Sequence, residues 1–233
     1  RRCIESMQKN RVDGIAINPN ALDNLDLLQN LNIPVVYINT KVEGEDISFI
    51  GIDNVSGARD ATQHLIDCEY ERIAYIGGNL TSFSNNMRRE TFVKTMGKNN
   101  RTVDKKLVMN GQFSQEFGYD AMMKLLVLDN PPDAVFAAND VLALGVYHAV
   151  SESGIQVPED FGIIGFDDIL ISKFLKPALS TIHSPAYSLG QAAASMLVQQ
   201  LAEDTSVMDK VILHPRLVVR ESSAGNKIKK GRG

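Results

Sequence analysis

The amino-acid sequence predicts an α/β fold in which parallel strands are flanked by helices. Short apolar runs rich in β-branched residues recur along the chain, each about four residues long, as in buried parallel strands. Longer segments lie between them, and their apolar residues recur at helical spacing. With 233 residues the chain is long enough for one large domain or for two lobes with their own cores.

Six apolar runs are the candidate strands: Gly14–Ile17, Val35–Ile38, Phe49–Ile52, Ile73–Ile76, Val135–Ala138 and Ile163–Phe166. The candidate helices run approximately over Ser56–Ile66, Phe83–Met96, Phe117–Leu128, Val141–Ser153 and Tyr187–Leu201. Pro131, Pro132 and Gly154 mark breaks, because proline cannot continue a helix and glycine suits a helix C-terminus. Further along, Val211–Pro215 and Leu217–Val219 are two extended segments interrupted at the proline.

Composition and charge exclude several classes of protein. The chain is 44% hydrophobic and 22% charged with a formal net charge of −4, so as a whole it is a globular chain and not a basic nucleic-acid binder. No apolar run approaches the roughly 18 residues of a membrane span, and the first residues do not resemble a signal peptide. Cys3 and Cys68 have no CxxC spacing, which favours reduced thiols in a cytoplasmic protein over a disulfide scaffold.

Motifs for catalysis and for metal binding are absent from the sequence. It contains no GxSxG, GxxxxGK[ST], HExxH or GxGxxG motif. Gly77 and Gly78 follow a candidate strand, but without the other glycines of a dinucleotide site they indicate a tight turn. The four histidines occur singly, and none has a second metal ligand at helical spacing. The sequence therefore predicts neither an enzyme nor a metal or cofactor site.

Polar side chains follow three of the candidate strands, at the point where each strand ends. Asp53 follows one strand, Asn139 and Asp140 follow another, and Asp167 and Asp168 follow a third. In open parallel sheets, ligands bind beyond the carboxyl ends of the strands. Asp and Asn side chains at this edge can each engage two neighbouring hydroxyl groups, which favours a sugar as the ligand.

Two further residues complete the candidate binding site. Arg88, near the start of a helical stretch, offers a planar fork of hydrogen-bond donors. Phe113 offers an aromatic face that suits the apolar face of a pyranose. Two carboxylates against one arginine favour a neutral sugar over a phosphate or a dicarboxylate. The predicted binding residues are Asp53, Arg88, Phe113, Asn139 and Asp167, with no catalytic residue and no metal ligand.

Each of these residues also has a purely structural interpretation. Asp53, Asn139 and Asp140 precede predicted helices, where Asp and Asn commonly act as N-caps. Phe113 could instead close over a hydrophobic core. Each signal alone is weak, and it is their combination that favours a site for a polyhydroxylated ligand.

Five stretches carry a more specific pattern. They are IGIDNVSGARDATQHLI (50–66), IAYIGG (73–78), FAANDVLALGVYHAVSESGIQVPEDFGIIGFDD (136–168), LSTIHSP (179–185) and LVVRESS (217–223). In this order they resemble the LacI/GalR family of transcriptional regulators over nearly the whole chain up to Ser223. Periplasmic sugar-binding proteins share the fold and the ND…GFD fragment, but they usually lack VPED…GFDD combined with the final LVVRESS.

The resemblance implies two Rossmann-like lobes of the type I periplasmic-binding-protein kind, joined by three crossover strands, with an effector held in the cleft. The N-terminal lobe would comprise residues 1–68 and 184–213, the C-terminal lobe residues 69–183 and 214–223, and residues 224–233 would form a disordered basic tail. The effector contacts of the family would fall on Asp53, Arg88, Phe113, Asn139 and Asp167, the residues already selected by their chemistry.

Two features depart from the family pattern. Thr91 stands before Phe92 where the family usually has glycine, so Arg89 stays an alternative to Arg88. The family's helix-turn-helix headpiece, hinge helix and first βαβ unit are not found, and the segment 1–8 resembles the end of the second helix of the N-terminal lobe. We therefore expect a fragment of a longer protein, with an incomplete N-terminal lobe.

The function implied by the resemblance is that of a bacterial transcriptional repressor located in the cytoplasm. A small sugar would shift the population of the closed form and change the affinity for operator DNA, which the helix-turn-helix would contact. A homodimer without membrane contact is also implied, and the apolar segments Leu22–Leu31 and Leu189–Leu201 would either face a partner or be buried in their own lobe. The alternative is a sugar-binding protein of a transport system.

Overall fold

The chain forms two α/β units, and the fold class predicted from the sequence is confirmed. The structure is a computed structural model that describes residues 2–18, 28, 31, 33–40, 47–203 and 210–224. Unit 1 consists of residues 1–53, 81–84 and 185–214, and unit 2 consists of residues 54–80, 85–184 and 215–233. None of the helices in the described ranges is long and apolar enough to cross a membrane.

The described helices and strands alternate along the chain from Asn54 to Asp167 but not outside that part. They are α1 (Arg2–Lys9), β1 (Ile15–Ile17), β2 (Val35–Ile38), β3 (Ser48–Ile52), α2 (Asn54–Asp67), β4 (Ile73–Gly77), α3 (Phe83–Lys98), β5 (Val108–Asn110), α4 (Gln115–Leu126), β6 (Ala134–Ala137), α5 (Asp140–Glu152), β7 (Gly162–Asp167), β8 (Ser180–His183), α6 (Ala186–Glu203), β9 (Lys210–Leu213) and β10 (Arg216–Val218). Short 3₁₀ turns cover Lys105–Leu107, Leu170–Lys173 and Glu221–Ser223. All six predicted strands and all five predicted helices are present, and their ends lie within two residues of the predicted ones.

Unit 1 is a parallel four-stranded sheet in the order β1-β2-β3-β9 with a helix packed on each face. Successive strand residues point to opposite faces. Val36 and Ile50 pack with Met196 of α6 on one face, and Tyr37 packs with Ile4 of α1 on the other. The sheet is therefore covered on both sides, as is usual for parallel sheets.

Unit 2 is a six-stranded sheet in the order β10-β8-β7-β6-β4-β5. Four of its five strand pairings are parallel, and the edge strand β10 runs antiparallel to β8. Every residue of β4 and β6 is buried, and so is every residue of β7 before Asp167. Burial on both faces explains why these strands have continuous apolar sequences without alternation. Their carboxyl ends lie side by side at one edge of the sheet.

Helix α2 belongs to unit 2, whereas the family resemblance implies that its residues lie in the N-terminal lobe, with a boundary after Cys68. The helix packs on β7 and β8, and Gly57 is the close point of that contact. A Cβ atom at Gly57 would lie 2.7 Å from Cε2 of Phe166, so any larger residue would push the helix off the strand. The first boundary therefore lies after Asp53, at the start of the helix.

Two strands of unit 2 were not predicted from the sequence. Strand β5 has only three residues and lies at the sheet edge, so it has no apolar run to mark it. Strand β8 carries Ser180 and Thr181, whose hydroxyl groups are buried and hydrogen-bonded inside the unit. A polar sequence therefore occupies an interior strand, because partners distant in sequence satisfy its hydroxyl groups.

Several expectations concern segments that the structure describes only in part. Most of Leu22–Leu31 and the basic tail beyond Ala224 lie outside the described residues. In α6, Leu189 and Leu197 pack into the core of unit 1, which confirms burial in its own unit for this face of the helix. Val198 and Leu201 of the same helix are exposed. A partner for that outer face stays a prediction.

Asp140 connects three elements of unit 2 through a fully buried carboxylate. Its oxygens accept hydrogen bonds from the Ser172 hydroxyl at 2.6 Å, the Thr181 hydroxyl at 2.6 Å and the Ile169 backbone N–H at 2.9 Å. Burial raises the pKa of Asp140 to about 6, and these three hydrogen bonds oppose the rise. Helix α5 is thereby held to β8 and to the segment that follows β7.

The raised pKa of Asp140 predicts a specific pH dependence of stability. The folded state retains the proton to higher pH than the unfolded chain, so the stability that Asp140 contributes is fully present below about pH 4 and is lost as the pH rises through about 6. Relative to Asp140→Asn, the free energy of unfolding of the wild type should fall by about 2 kcal/mol between pH 4 and pH 7. Urea denaturation of both proteins across this range measures the difference, and parallel profiles would contradict the assignment.

Candidate functional site

Four of the five predicted binding residues lie at the carboxyl ends of the strands of unit 2. Arg88 comes from α3, Phe113 follows β5, Asn139 follows β6, and Asp167 ends β7. We call these four residues the unit 2 site. Asp53 follows β3 and belongs to unit 1, so its participation stays a prediction.

Arg88 is the most tightly held member of the unit 2 site. Its side chain is only 8% exposed, its Nε donates to Oδ1 of Asn54 at 2.7 Å, and its Nη1 donates to the Ala138 carbonyl at 2.6 Å. The guanidinium carbon lies 3.5 Å from the ring centroid of Phe166, in a cation–π contact. Arg89, the alternative left by the sequence, is partly exposed. The geometry therefore selects Arg88 as the arginine at this edge.

Asp167 faces the third nitrogen of the Arg88 guanidinium. Its Oδ1 lies 3.7 Å from Nη2 of Arg88, which is an ion-pair distance but too long for a hydrogen bond. The Ser184 hydroxyl donates to the same oxygen at 3.4 Å. Desolvation by the surrounding protein raises the pKa of Asp167, while Arg88 and Ser184 lower it. With 37% of its side chain exposed, the Asp167 carboxylate remains open to a ligand.

The backbone at Asp167 adopts a conformation that residues with side chains rarely take. Its φ is 107°, and Asp168 follows with a φ of 57°. Non-glycine residues in such regions cluster at functional sites, where the surrounding contacts hold them in place. The turn at the end of β7 therefore directs two consecutive carboxylates to different partners.

Asp168 is committed to structural contacts, in contrast to Asp167. Its carboxylate accepts from Nη2 of Arg220 at 2.6 Å and lies 3.0 Å from Nδ1 of His183. Burial alone would raise the pKa of Asp168, but the contacts with Arg220 and His183 outweigh it and lower the pKa. Only one of the two carboxylates after β7 thus remains available for a ligand.

Asn139 is the N-cap of helix α5. Its Oδ1 accepts a hydrogen bond from the Leu142 backbone N–H at 2.9 Å, and its own backbone is extended. The capping interpretation is therefore confirmed for Asn139. The cap uses one lone pair of Oδ1, so Asn139 can still offer its amide NH₂ group to a ligand.

Phe113 lies over the turn that follows β4. A Cβ atom at Gly78 would collide with the Phe113 ring, so the glycine is what allows the ring to approach the backbone there. Asn85 fixes this turn by accepting from the Gly78 N–H at 2.9 Å and donating to the Gly78 carbonyl at 3.1 Å. Phe113 is 38% exposed, so its ring still has a surface free for stacking.

Asp53 occupies the equivalent edge of the sheet in unit 1. Its backbone N–H donates to the Leu213 carbonyl at 2.9 Å, and its carboxylate lies 3.7 Å from Nδ1 of His214. With a side-chain exposure of 28%, it is partly open at the carboxyl end of β3.

Two residues that hold the site were not identified from the sequence. Asn54 and Phe166 contact Arg88 from 34 and 78 residues away, and neither type is unusual at a helix start or in a buried strand. Of the two, only Asn54 could have been found from the sequence, because it directly follows the predicted binding residue Asp53.

Among the described residues, no group of three His, Cys, Asp or Glu side chains is arranged to hold a metal ion.

Comparisons with known proteins give a consistent assignment. The model of the periplasmic binding protein-like domain matches residues 62–223. The HTH-type transcriptional repressor PurR of Pasteurella multocida is 37% identical over 222 residues, which cover 94% of this chain and 66% of that protein. The chain thus spans about two thirds of the length of this relative.

Solved structures of regulators share the fold. The transcriptional regulator CelR in complex with cellobiose is similar with a TM-score of 0.88 and 31% identity, over 95% of this chain and 69% of that one. A LacI family transcriptional regulator from Enterococcus faecium with bound ribose has a TM-score of 0.86 and 27% identity, over 96% of this chain and 84% of that one.

The cap at Asn139 predicts a defined loss of stability. Asn139→Ala removes the acceptor for the Leu142 N–H and should lower the free energy of unfolding by about 1 kcal/mol. Asn139→Asp keeps an acceptor and places a negative charge at the helix N-terminus, so it should stay within about 0.5 kcal/mol of the wild type. Urea denaturation at neutral pH measures both variants, and an equal loss in the two would show that the cap is not the cause.

Proposed function

The chain belongs to the LacI/GalR family of transcriptional regulators, and we propose that it is the part of a bacterial repressor that binds a small-molecule effector at the unit 2 site. The observation that carries this proposal is the Arg88–Asp167 pair. A buried cation already held by three protein contacts faces a partly open carboxylate at the carboxyl ends of parallel strands, where ligands of such sheets bind.

A neutral sugar fits the charges and distances of this site. The charges of Arg88 and Asp167 offset one another, so the pair does not favour an ionic ligand. The 3.7 Å between Nη2 and Oδ1 leaves both groups able to engage one ligand hydroxyl, which would accept from Arg88 and donate to Asp167. Phe113 would stack on the apolar face of the sugar ring. Two structurally similar regulators are complexes with sugars, cellobiose and ribose.

A planar nitrogen heterocycle, such as a purine base, is the second candidate effector. The exposed face of Phe113 would stack on an aromatic base as well as on a sugar ring. Arg88 and Asp167 would supply a donor and an acceptor to the polar edge of the base. The relative with 37% identity is a repressor named PurR, whereas the sugar-bound structures are 31% and 27% identical.

The effector would regulate transcription by changing the affinity of the protein for operator DNA, contacted through a helix-turn-helix. A ligand achieves such control only if it binds one arrangement of the protein more tightly than the other. The proposal includes a homodimer in the cytoplasm, with the exposed residues Val198 and Leu201 of α6 on a candidate partner-facing surface. The transport alternative would use the same site to deliver a sugar to a permease.

A thermal-shift screen identifies the effector class. The purified protein is heated with ribose, cellobiose, their phosphates, adenine, guanine and the corresponding nucleosides. At about 100 times its Kd, an effector should stabilise the protein by about 2.7 kcal/mol, which is about 5–11 °C for a chain of this size. A shift with neutral sugars supports the first candidate, a shift with bases supports the second, and a shift confined to phosphorylated sugars would contradict the charge argument.

Substitutions at the pair test the location of the site. Arg88→Lys and Asp167→Asn should each weaken binding of the most stabilising panel compound by at least about tenfold, because each removes a charge-assisted hydrogen bond. Arg59→Lys and Asp120→Asn are matched controls on exposed residues and should leave the Kd unchanged. Isothermal titration calorimetry measures all four variants, and unchanged affinity in both site variants would place the effector elsewhere.

Transport and regulation are separated by a deletion strain. Loss of a repressor should raise a small set of transcripts, and addition of the identified effector should change the same transcripts in the parent strain, upward for an inducer or downward for a co-repressor, but not in the deletion strain. Uptake of the labelled effector in the two strains is the control. Slower uptake with unchanged transcripts would favour the transport function.

A further inference from the structure

The guanidinium of Arg88 is fixed before any ligand arrives. A guanidinium group has five N–H donors in one plane. Nε and Nη1 are used on Asn54 and on the Ala138 carbonyl, and Phe166 covers one face of the plane. Two hydrogen bonds at different nitrogens and a ring against one face leave the group little freedom to rotate. The nitrogen directed at Asp167 is therefore Nη2.

Of these three contacts of Arg88, the hydrogen bond with Asn54 is the one that a substitution can remove, because its acceptor is a side chain. The Ala138 acceptor is a backbone carbonyl, and Phe166 contributes a ring but no hydrogen bond. Asn54 is 5% exposed and is the first residue of α2. The same helix packs on Phe166 through Gly57, so its position fixes both the acceptor and the ring.

We propose that Asn54 is a positioning residue of the effector site, which fixes the rotation of the Arg88 guanidinium so that Nη2 faces the ligand and Asp167. This inference rests on the proposed effector site. Asn54 acts through Arg88, because its Oδ1 is occupied by Arg88 Nε. Without that bond, the guanidinium would keep its charge and its burial but would turn about its side-chain torsions, and the donor directed at the ligand would no longer be defined.

Asn54 is also the first residue of unit 2 after the chain leaves unit 1 at Asp53. Ser184, which donates to Asp167, is the last residue before the chain returns to unit 1 at Pro185. Both members of the Arg88–Asp167 pair are thus hydrogen-bonded to residues at chain crossings.

The first test observes Arg88 without any ligand. In protein labelled with [¹⁵N]arginine, the Nε–H of Arg88 should give a resonance protected from solvent exchange, assigned by its loss in Arg88→Lys. Asn54→Ala should abolish the protection or shift the resonance, whereas Asn54→Asp, which keeps an acceptor oxygen, should retain it. An unchanged resonance in Asn54→Ala would overturn the positioning role.

The second test measures ligand affinity in a double-mutant cycle. The probe is the compound among ribose, cellobiose, adenine and guanine with the largest thermal shift. Asn54→Ala should weaken its binding about tenfold in the wild type but by less than about twofold in Arg88→Lys, because the effect passes through the guanidinium. Asn54→Asp should keep the affinity within about threefold of that of the wild type. Additive losses in the two backgrounds would overturn the inference and assign Asn54 a purely structural role.

The two tests also separate the inference from the proposed function. If no compound binds the wild type but the Nε resonance depends on Asn54, the contact is correct and the effector proposal is wrong. Thermal unfolding of each variant without ligand shows whether it is folded. A variant that does not fold is replaced by Asn54→Ser, which shortens the side chain beyond reach of Nε and keeps a good helix N-terminus.

Discussion

The rest of unit 2 is arranged around one buried cation, the guanidinium of Arg88. A charge taken out of water is costly unless it is paired and hydrogen-bonded, so its surroundings have to supply acceptors. The acceptors are Asn54 at the start of α2 and the Ala138 carbonyl just after β6, while Phe166 and Asp167 at the end of β7 add a cation–π contact and an opposite charge. A shift of any of these elements would remove one of the contacts of the cation, and this ties the packing of α2 and α3 on the sheet to the geometry of the site.

Three carboxylates near this edge of the sheet have different roles because their partners differ. Asp140 is fully buried and accepts three hydrogen bonds, which makes it part of the framework. Asp168 is engaged by Arg220 and His183. Asp167 is left partly open, at an ion-pair distance from Arg88 and with a strained backbone. The framework contacts hold the strained turn in place, and the open carboxylate is the one that can exchange a protein partner for a ligand hydroxyl.

The sequence predicted most helices and strands well, because buried parallel strands have continuous apolar sequences and amphipathic helices have apolar residues at helical spacing. It also predicted that Asn139 and Asp167 lie at strand ends and that Arg88 lies near the start of a helix. It could not decide between a helix cap and a ligand contact at Asn139, because both roles require the same residue type at the same position. Asn54 and Phe166 were missed because their roles arise from contacts across 34 and 78 residues of chain. The predicted boundary after Cys68 differs from the division after Asp53 for a similar reason, since contacts distant in sequence, such as those of Gly57 with Phe166 and of His64 with Ser223, join α2 to unit 2.

The contacts that hold Arg88 in place affect the free energy with which a ligand could bind to it. Because Arg88 is already ordered by Asn54, Ala138 and Phe166, a ligand that engages Nη2 does not have to immobilise a flexible side chain, which is an advantage for affinity. The same arrangement discriminates against anions, since two of the three guanidinium nitrogens already donate to protein acceptors and Asp167 repels a second negative charge beside the third. A group that both donates and accepts, such as a sugar hydroxyl or the edge of a heterocycle, satisfies Arg88 and Asp167 together. If the proposed effector binds here, the pair would select it by hydrogen-bonding pattern and not by charge.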